Sequence, residues 1–303
     1  MLESSTRTHS IDKVSIPGKV FLMGEYAVLK GAPAWVASIQ PRFEWSKSQR
    51  TPLDDSFFPH PQSPAGRYLD SLGLWTKTGG WYDPFDGLGG FGGSTAEFLA
   101  ALFSRVDLPV DTKECHRLYQ SFSKTDDGYI PSGADLIAQK VGGIVQVQNI
   151  NTNQDIEFQN VTLPAGAHWL VFSASHLPGR KTKTHSHLAS KMKFDLEPLI
   201  GILNEFDSAL SRQDPTAMGK LMIRYSEALN HMGLENPDTE ADRMELCKHP
   251  DVLGVKGCGA NLSDAVLVLL KSVDHEEQVV QLAKTRGLQL VTRYLGAEGV
   301  SRV

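Results

Sequence analysis

The sequence predicts a chain of the α+β class. Two stretches carry apolar residues at the i, i+3, i+4 and i+7 spacing of a buried helix face, at 196–210 and 217–229. Short apolar runs that suit strands lie at 14–16, 20–23, 143–147, 161–163, 169–172, 266–270 and 288–292. The length of 303 residues allows one large or two medium-sized domains, and we expect a boundary between about residues 150 and 175.

Composition and charge restrict the class of protein. Hydrophobic residues make up 41% of the chain and charged residues 21%, which is typical of a soluble globular protein. The formal net charge of -5 supplies no general basic field, so nucleic acid is not an expected partner. No apolar run approaches the ~20 residues of a membrane span, and the polar first 13 residues do not form a signal peptide. Three widely spaced cysteines (Cys115, Cys247 and Cys258) suit a reducing compartment, so we expect a cytoplasmic protein.

A glycine-rich segment at residues 86–96 is the strongest local signal. Glycines take five of the seven positions from Gly87 to Gly93, and Ser94 and Thr95 then open an amphipathic helix. Such a loop lets backbone N–H groups approach an anion, and the helix end adds roughly half a positive charge. The alternative is a flexible glycine-rich turn, because the segment fits neither the Walker spacing nor the dinucleotide fingerprint.

Four segments together resemble the motifs of the GHMP kinases, a family that includes galactokinase, homoserine kinase, mevalonate kinase and phosphomevalonate kinase. Residues 17–29 (Pro-Gly-Lys-Val-Phe-Leu-Met-Gly-Glu-Tyr-Ala-Val-Leu) resemble the first motif, and residues 90–96 lie where the family carries its ATP loop. Residues 131–135 (Pro-Ser-Gly-Ala-Asp) resemble the segment with the catalytic aspartate, and residues 254–265 occupy the place of the third motif. The resemblance extends from about residue 14 to residue 292.

The resemblance implies a two-domain GHMP kinase fold with the site in the cleft. Residues 1–165 would form an N-terminal ATP-binding domain similar to ribosomal protein S5 domain 2. Residues 166–303 would form a ferredoxin-like C-terminal domain. The implied ligands are ATP, Mg²⁺ and a small-molecule acceptor, and a homodimer is left open because no sequence feature decides the oligomeric state.

The resemblance also implies roles for individual residues. Asp135 would accept the proton of the acceptor hydroxyl, Lys19 would pair with Asp135, and the Ser94 hydroxyl would coordinate Mg²⁺. The implied phosphate-binding residues are Gly89, Gly90, Phe91, Gly92, Gly93, Ser94 and Thr95. The implied substrate-binding residues are Glu25, Tyr26, Ser132, Lys183, Thr184, His185, Gly259 and Ala260. Taken singly, Asp135 is equally typical of a helix cap, Lys19 of a solvated lysine, and the basic turn at 180–185 of a helix start.

Three departures from the family pattern bear on activity. Gly93 replaces the first serine of the ATP loop, and Lys124 stands where mevalonate kinases carry a glutamate that binds Mg²⁺. Asn261, Leu262 and Ser263 replace glycines of the third motif. These departures motivate a second hypothesis, a catalytically silent relative that binds a nucleotide or metabolite.

The acceptor is predicted to be 5-phosphomevalonate, with mevalonate as the alternative. Tyr26 stands where mevalonate kinases usually have histidine, and residues 41–43 and Asp264 are more like phosphomevalonate kinases. The basic turn at 180–185 would suit the added phosphate charge. Against this, the chain is short for a phosphomevalonate kinase. Galactokinase is disfavoured because its sugar-recognition pattern after Glu25 is absent.

A long segment at 47–85 is rich in proline and aromatic residues and has no clear periodicity. Segments of this kind are more often functional than filler. In the related kinases this region helps to form the adenine pocket, where aromatic faces would stack. The alternative interpretation is a hydrophobic flap that covers the core.

Overall fold

The computed structural model describes residues 12–47, 59–74, 79–104, 110–126, 128–180, 195–259, 262 and 264–302. It confirms the mixed helix and strand class. Two antiparallel sheets form its framework, and each is covered by helices. None of the described helices has both the length and the apolar character needed to cross a bilayer.

The first sheet contains six strands in the order β10-β1-β2-β4-β5, with β3 paired to β2. Its strands are β1 (Lys13–Met23), β2 (Ala34–Ser46), β3 (Gly80–Tyr82), β4 (Ile144–Gln148), β5 (Glu157–Asn160) and β10 (Ser301–Arg302). β1 and β2 are buried over most of their length, because helices and strands of the second sheet pack against them.

The second sheet contains four strands in the order β7-β8-β6-β9. Its strands are β6 (His168–Ser173), β7 (Val252–Cys258), β8 (Ala265–Leu270) and β9 (Gln289–Thr292). With helices after β6 and after β8, the chain follows the βαββαβ order of ferredoxin-like folds. The expected boundary at 165/166 lies between β5 and β6, which belong to different sheets, and the division into two domains stays a prediction.

Eight α-helices lie in the described part of the chain. They are α1 (Pro64–Ser71), α2 (Gly93–Phe103), α3 (Thr112–Ser123), α4 (Ala134–Val141), α5 (Glu197–Ser211), α6 (Pro215–His231), α7 (Pro237–Leu246) and α8 (Glu276–Thr285). α2 and α4 pack on β1 and β2, and α3 packs against α1 and α4. α6 packs on β7 and also contacts β1, so it joins the two sheets.

The chain returns to the first sheet after β9. Gly143 N donates to Ala297 O at 2.8 Å, and Val300 N donates to Gln139 O at 2.9 Å. The Arg42 guanidinium holds the same segment by donating to the carbonyls of Glu298 and Gly299. β10 then pairs with β1, so the last described residues cover the edge of the strand that leads into the candidate site.

Two expectations about local structure are wrong, and one segment for which no element was predicted contains a helix. Pro17 and Gly18 do not break the first strand, since β1 runs through them with a shift in register against β2. Residues 161–163 form no strand, because β5 ends at Asn160. The segment 47–85 contains a helix, α1, whose N-terminus is capped by Ser63 and whose first residue is Pro64.

The aromatic residues of this region pack on one another. The rings of Phe85 and Phe91 stack at 4.6 Å, and the Phe43 ring lies 5.1 Å from Phe85 and 5.6 Å from Trp81. Phe43, Phe85 and Phe91 are almost completely buried. These contacts favour the hydrophobic flap over an adenine-stacking surface for the described aromatics, while Phe57, Phe58 and Trp75 lie outside the described residues.

Candidate active site

Lys19 of β1 and Asp135 of α4, which belong to two of the resembling motifs, form an ion pair. Lys19 Nζ lies 3.0 Å from Asp135 Oδ2. The Lys19 side chain is 6% exposed, whereas that of Asp135 is 26% exposed, so the pair is open to solvent only on the carboxylate side. Lys19 is fixed by its place in β1, where its backbone N–H donates to Phe91 O at 3.1 Å. The ion pair implied by the family resemblance is therefore present.

Asp135 owes its place to the turn before α4. Gly133 adopts a left-handed conformation (φ +68°), which reverses the chain and starts the helix at Ala134. Asp135 then lies in the first helical turn, where the helix dipole favours a negative charge. The N-cap residue of α4, Gly133, has no side chain to cap the helix, but Ser132 Oγ accepts from Ala134 N at 3.3 Å.

The C-terminal end of the glycine loop leads directly into α2. Gly92 is left-handed (φ +87°) and precedes α2 without a capping side chain, so the first N–H groups of α2 are not satisfied by one. Ser94 is exposed in this first turn. A Cβ at Gly92 would lie 2.8 Å from both Lys19 Cγ and Gln139 Nε2, which explains why glycine is needed there. Gly92 to Thr95 thus form a helix start beside Lys19, and helix starts of this kind suit anions.

The N-terminal end of the same loop is covered by the second sheet. Gly89 N donates to Ser175 Oγ at 3.1 Å. A Cβ at Gly89 or Gly90 would lie 2.8 Å from atoms of the buried Asp264 side chain, and Gly259 packs against the same carboxylate. A carboxylate therefore lies next to both glycines, and their role in phosphate binding stays a prediction.

Gln139 connects the parts of the site and was missed by sequence reasoning. Its side chain is fully buried and donates to Pro17 O at 2.8 Å and to Gly92 O at 3.2 Å. Its Oε1 accepts a hydrogen bond from the Thr95 hydroxyl. The available signal was a single polar residue on the apolar face of α4. This amide links β1, the glycine loop and α2.

Two tyrosines lie close enough to Asp135 to respond to its charge. Burial raises the pKa of Tyr119 well above its ordinary value, and the Asp135 charge raises it further. Burial and then Asp135 raise the pKa of Tyr129 to about 12. Both phenols are therefore neutral at physiological pH.

Glu97, one turn after the start of α2, is a carboxyl with an unusual pKa. Burial raises the pKa of Glu97 to about 7, and the Asp83 carboxylate adds to the shift. Asp83 itself accepts hydrogen bonds from Phe85 N and Gly87 N, so it shapes the turn that precedes the glycine loop. Glu97 therefore holds a proton in the folded state at pH values where it would be ionised in the unfolded chain.

Replacement of Glu97 by Gln is expected to stabilise the protein at pH 8 and to have little effect at pH 4.5. Between pH 4.5 and about 7 the folded state binds the proton more tightly than the unfolded state, so stability falls as the pH rises through this window. At about 1.4 kcal/mol per pKa unit, the gain at pH 8 is at most roughly 3 kcal/mol. Thermal unfolding of E97Q and wild type at the two pH values measures it. Glu114→Gln, at an exposed position in α3, serves as control. Equal shifts of Tm for E97Q at both pH values would contradict the assignment.

Glu25 and Lys256 form a buried ion pair between the two sheets. The Glu25 carboxylate accepts from the Lys256 ammonium, which also donates to Gly257 O at 2.7 Å. Burial lowers the pKa of Lys256, but the Cys258 sulfur and the Glu25 carboxylate more than offset this and raise it above its ordinary value. Tyr225 OH donates to Glu25 O at 2.7 Å. Glu25 thus stabilises the contact between the sheets, and its role as a substrate ligand stays a prediction.

The other predicted substrate residues are only partly described. Tyr26 is buried with a positive φ (+63°), Ser132 lies in the turn before α4, and Gly259 follows β7. Four residues lie outside the described ranges: Lys183, Thr184, His185 and Ala260.

Two arginines that could bind an acidic substrate have other partners. Arg180 is buried and donates to Asp242 Oδ2 at 2.8 Å, and Arg286 donates to the other oxygen of the same carboxylate. Arg42 binds Ser15 and the C-terminal return of the chain. Both guanidinium groups therefore stabilise the fold, which leaves the described part of the basic turn without a free arginine for the substrate.

Within the described ranges, no three His, Cys, Asp or Glu side chains are grouped to hold a metal ion. The nearby donors are the Ser94 hydroxyl and the Asp135 carboxylate, which are hard oxygen donors. Mg²⁺ commonly takes one or two protein oxygens and completes its shell with waters and substrate phosphates. The donor set at this end of the loop thus fits Mg²⁺ bound together with a nucleotide, and it does not fit an all-protein metal site.

No protein-family model matches the chain, and no curated protein sequence matches it significantly. Solved structures match it over nearly its whole length. Phosphomevalonate kinase from Streptococcus pneumoniae shares 16% identity at a TM-score of 0.72, over 97% of this chain and 100% of that chain. Mevalonate kinase from Methanococcus jannaschii shares 18% identity at a TM-score of 0.72, over 96% and 99% of the two chains.

Related kinases for other acceptors match in the same way. Galactokinase from Lactococcus lactis, solved with galactose, shares 14% identity at a TM-score of 0.71, over 98% of this chain and 96% of that chain. A further structure of the Streptococcus pneumoniae enzyme contains phosphomevalonate and AMPPNP. These solved neighbours are GHMP kinases, and the chain has the GHMP kinase fold.

Proposed function

We propose that the protein is an ATP-dependent kinase that transfers the γ-phosphoryl group to a hydroxyl of a small molecule. The observation that carries the proposal is the Lys19–Asp135 ion pair beside the uncapped start of α2. Phosphoryl transfer needs an aligned hydroxyl, neutralised phosphate charge and an acceptor for the proton. The two neighbouring elements supply groups for each of these needs.

Asp135 is suited to hold the acceptor hydroxyl and take its proton. As the new bond between the acceptor oxygen and the γ-phosphorus forms, the bond from phosphorus to the ADP oxygen breaks, and the hydroxyl proton passes to Asp135. Lys19 favours the ionised form of the carboxylate before transfer and places a positive charge beside the reacting oxygen. Because the carboxylate is the more exposed partner of the pair, it is the group that an incoming hydroxyl would meet.

The nucleotide phosphates are proposed to bind at residues 92–95. The Asp264 carboxylate beside Gly89 and Gly90, and the bond from Gly89 N to Ser175 Oγ, favour the α2 end of the loop as the phosphate site. Ser94 would hold Mg²⁺, which neutralises phosphate charge when bound. The AMPPNP complex of a protein with the same fold supports ATP as the donor.

The proposed acceptor is 5-phosphomevalonate, of the mevalonate pathway to isoprenoids, with mevalonate as the alternative. Both are supported by neighbours of equal TM-score, a phosphomevalonate kinase and a mevalonate kinase. Tyr26 and Asp264 are the sequence features that favour the phosphate ester. Arg42 and Arg180 do not contribute, since both bind groups of the protein itself.

ADP release with Mg-ATP is expected to be faster with 5-phosphomevalonate than with mevalonate. A coupled assay at matched acceptor concentrations measures both rates, with galactose and homoserine as further acceptors. Preference for mevalonate would replace the proposed acceptor by the alternative and leave the kinase proposal in place.

A second candidate is a silent relative that binds nucleotide without transferring phosphate. Lys124, at the place of a family Mg²⁺ ligand, and the altered third motif favour it. ATP binding measured by calorimetry, together with no ADP release for any acceptor, would support this candidate and contradict the kinase.

A further inference from the structure

Helix α3 belongs to none of the recognised motifs, yet it lies directly behind the turn that carries Asp135. His116, Tyr119 and Gln120 have the i, i+3, i+4 spacing that puts side chains on one helix face. All three contact the turn or its surroundings. Gln120 Nε2 donates to Pro131 O at 3.1 Å and to Asn151 Oδ1 at 2.9 Å.

His116 makes the shortest of these contacts. Its side chain is completely buried, and its Nε2 lies 2.6 Å from Ser132 O. Since a carbonyl oxygen only accepts, Nε2 carries the proton and donates. Nδ1 is buried and has no hydrogen-bond partner among the described residues. The ring is therefore held as a single neutral tautomer, in agreement with the lowering of the His116 pKa by burial.

The imidazole also shapes the turn by contact. A Cβ at Gly133 would lie 2.7 Å from His116 Cδ2 and 2.8 Å from Nε2. The ring thus packs against the left-handed glycine that starts α4. Gln120 and His116 together bind the carbonyls of Pro131 and Ser132, the two residues before that glycine, so α3 fixes the direction in which the helix begins.

We propose that His116 is a positioning residue that sets the orientation of Asp135 by holding the Ser132 carbonyl and the Gly133 backbone, with Gln120 as its second contact. The inference rests on the proposed kinase function, because it assigns His116 to the orientation of the residue that takes the proton. A positioning group of this kind acts on turnover more than on nucleotide binding, since residues 92–95 lie on a different helix.

Three replacements of His116 separate the effect of its hydrogen bond to Ser132 O from the effect of its packing. In Gln the terminal nitrogen is as many bonds from Cα as Nε2, so H116Q keeps a donor for Ser132 O. In Asn the nitrogen corresponds to Nδ1, so H116N places its donor away from that carbonyl. Met fills similar space and donates nothing. For H116M and H116N we expect kcat to fall by about 10- to 100-fold with the KM for ATP changed by less than about threefold, and for H116Q we expect kcat within about threefold of wild type.

Hydrogen exchange provides a readout that does not need turnover. In H116M and H116N the backbone amides of residues 133–137 are expected to exchange on the order of fivefold faster than in wild type, and in H116Q at the wild-type rate. If H116M is too unstable to purify, Gln120→Met, at a partly exposed position of the same face, is expected to show the same pattern at smaller amplitude. Ser121→Ala, on the outer face of α3, is the control.

The outcomes separate this inference from the proposed function. Equal kcat and equal exchange in wild type and folded H116M would overturn the inference, as would equal losses in H116Q and H116M. A wild-type protein that turns over no acceptor would refute the kinase. The exchange rates of residues 133–137 would then still decide whether His116 positions the turn.

Discussion

Replacement of Asp135 by Asn is expected to lower turnover by about 10²–10⁴-fold, the usual cost of removing a positioned acid–base group. Asn keeps the shape and one oxygen acceptor for Lys19 but cannot take the proton of the acceptor hydroxyl. Because Asp135 is the exposed partner of the pair and lies in a first helical turn, we expect a folding cost of about 1 kcal/mol. This corresponds to a Tm lowered by about 2–4 °C for domains of this size.

Asp238→Asn is the matched control for this variant. Asp238 occupies the second position of α7, as Asp135 does in α4, but it is exposed and far along the chain from the glycine loop. It is expected to share the small thermal effect and to retain full turnover. Steady-state ADP release and thermal unfolding measure both. Wild-type turnover in D135N would remove Asp135 from the proposed chemistry.

Replacement of Lys256 by Met is expected to destabilise the protein by about 3–5 kcal/mol, because it leaves the Glu25 carboxylate buried without its positive partner. The ion pair links strand β7 to the segment that follows β1, so its removal weakens the contact between the two sheets. The double variant E25Q/K256M, which removes both charges, is expected to recover most of the loss. Urea-induced unfolding, with the slope compared among variants, measures these differences.

The control Lys248→Met tests whether replacing any lysine of an ion pair destabilises the protein. Lys248 pairs with Glu245 on the surface, where its side chain is 70% exposed, and its replacement is expected to leave the unfolding curve unchanged. A destabilisation of K256M no larger than that of K248M would show that the buried pair does not stabilise the contact between the sheets. If E25Q/K256M were as unstable as K256M, the loss of stability would come from altered side-chain packing and not from an unpaired charge.

The sequence predicted the parts of the site that have strict local requirements. Gly92 and Gly133 each precede a helix in a left-handed conformation. Glycine adopts this conformation most readily, so such a position is visible in the sequence as a glycine next to a helical pattern. Lys19 and Asp135 could be assigned because each belongs to a motif with a defined order and spacing. The strands and helices with clear periodicity were found for the same reason, as with α5 and α6.

The rest depends on contacts between distant segments, which leave no local pattern. Nothing near Asp264 shows that its carboxylate covers Gly89 and Gly90, since that contact requires both sheets to be in place. The ion pair of Glu25 could not be predicted, because its partner, Lys256, comes from the other sheet. His116 looks like any residue of an amphipathic helix until the turn it holds is visible. The two residues of β10 are too few to give a strand pattern.

The position of β10 has a consequence for protein synthesis. β1, which carries Lys19, is synthesised long before residues 301 and 302, which pair with its outer edge at Val14 and Ser15. The segment 297–300 that bonds to Gln139 and Gly143 emerges equally late. A nascent chain that has already folded its first helices therefore carries an open sheet edge next to an unfinished site. That edge can close only after residues 297–302 have been made, so the surroundings of Lys19 depend on a segment more than 270 residues further along the chain.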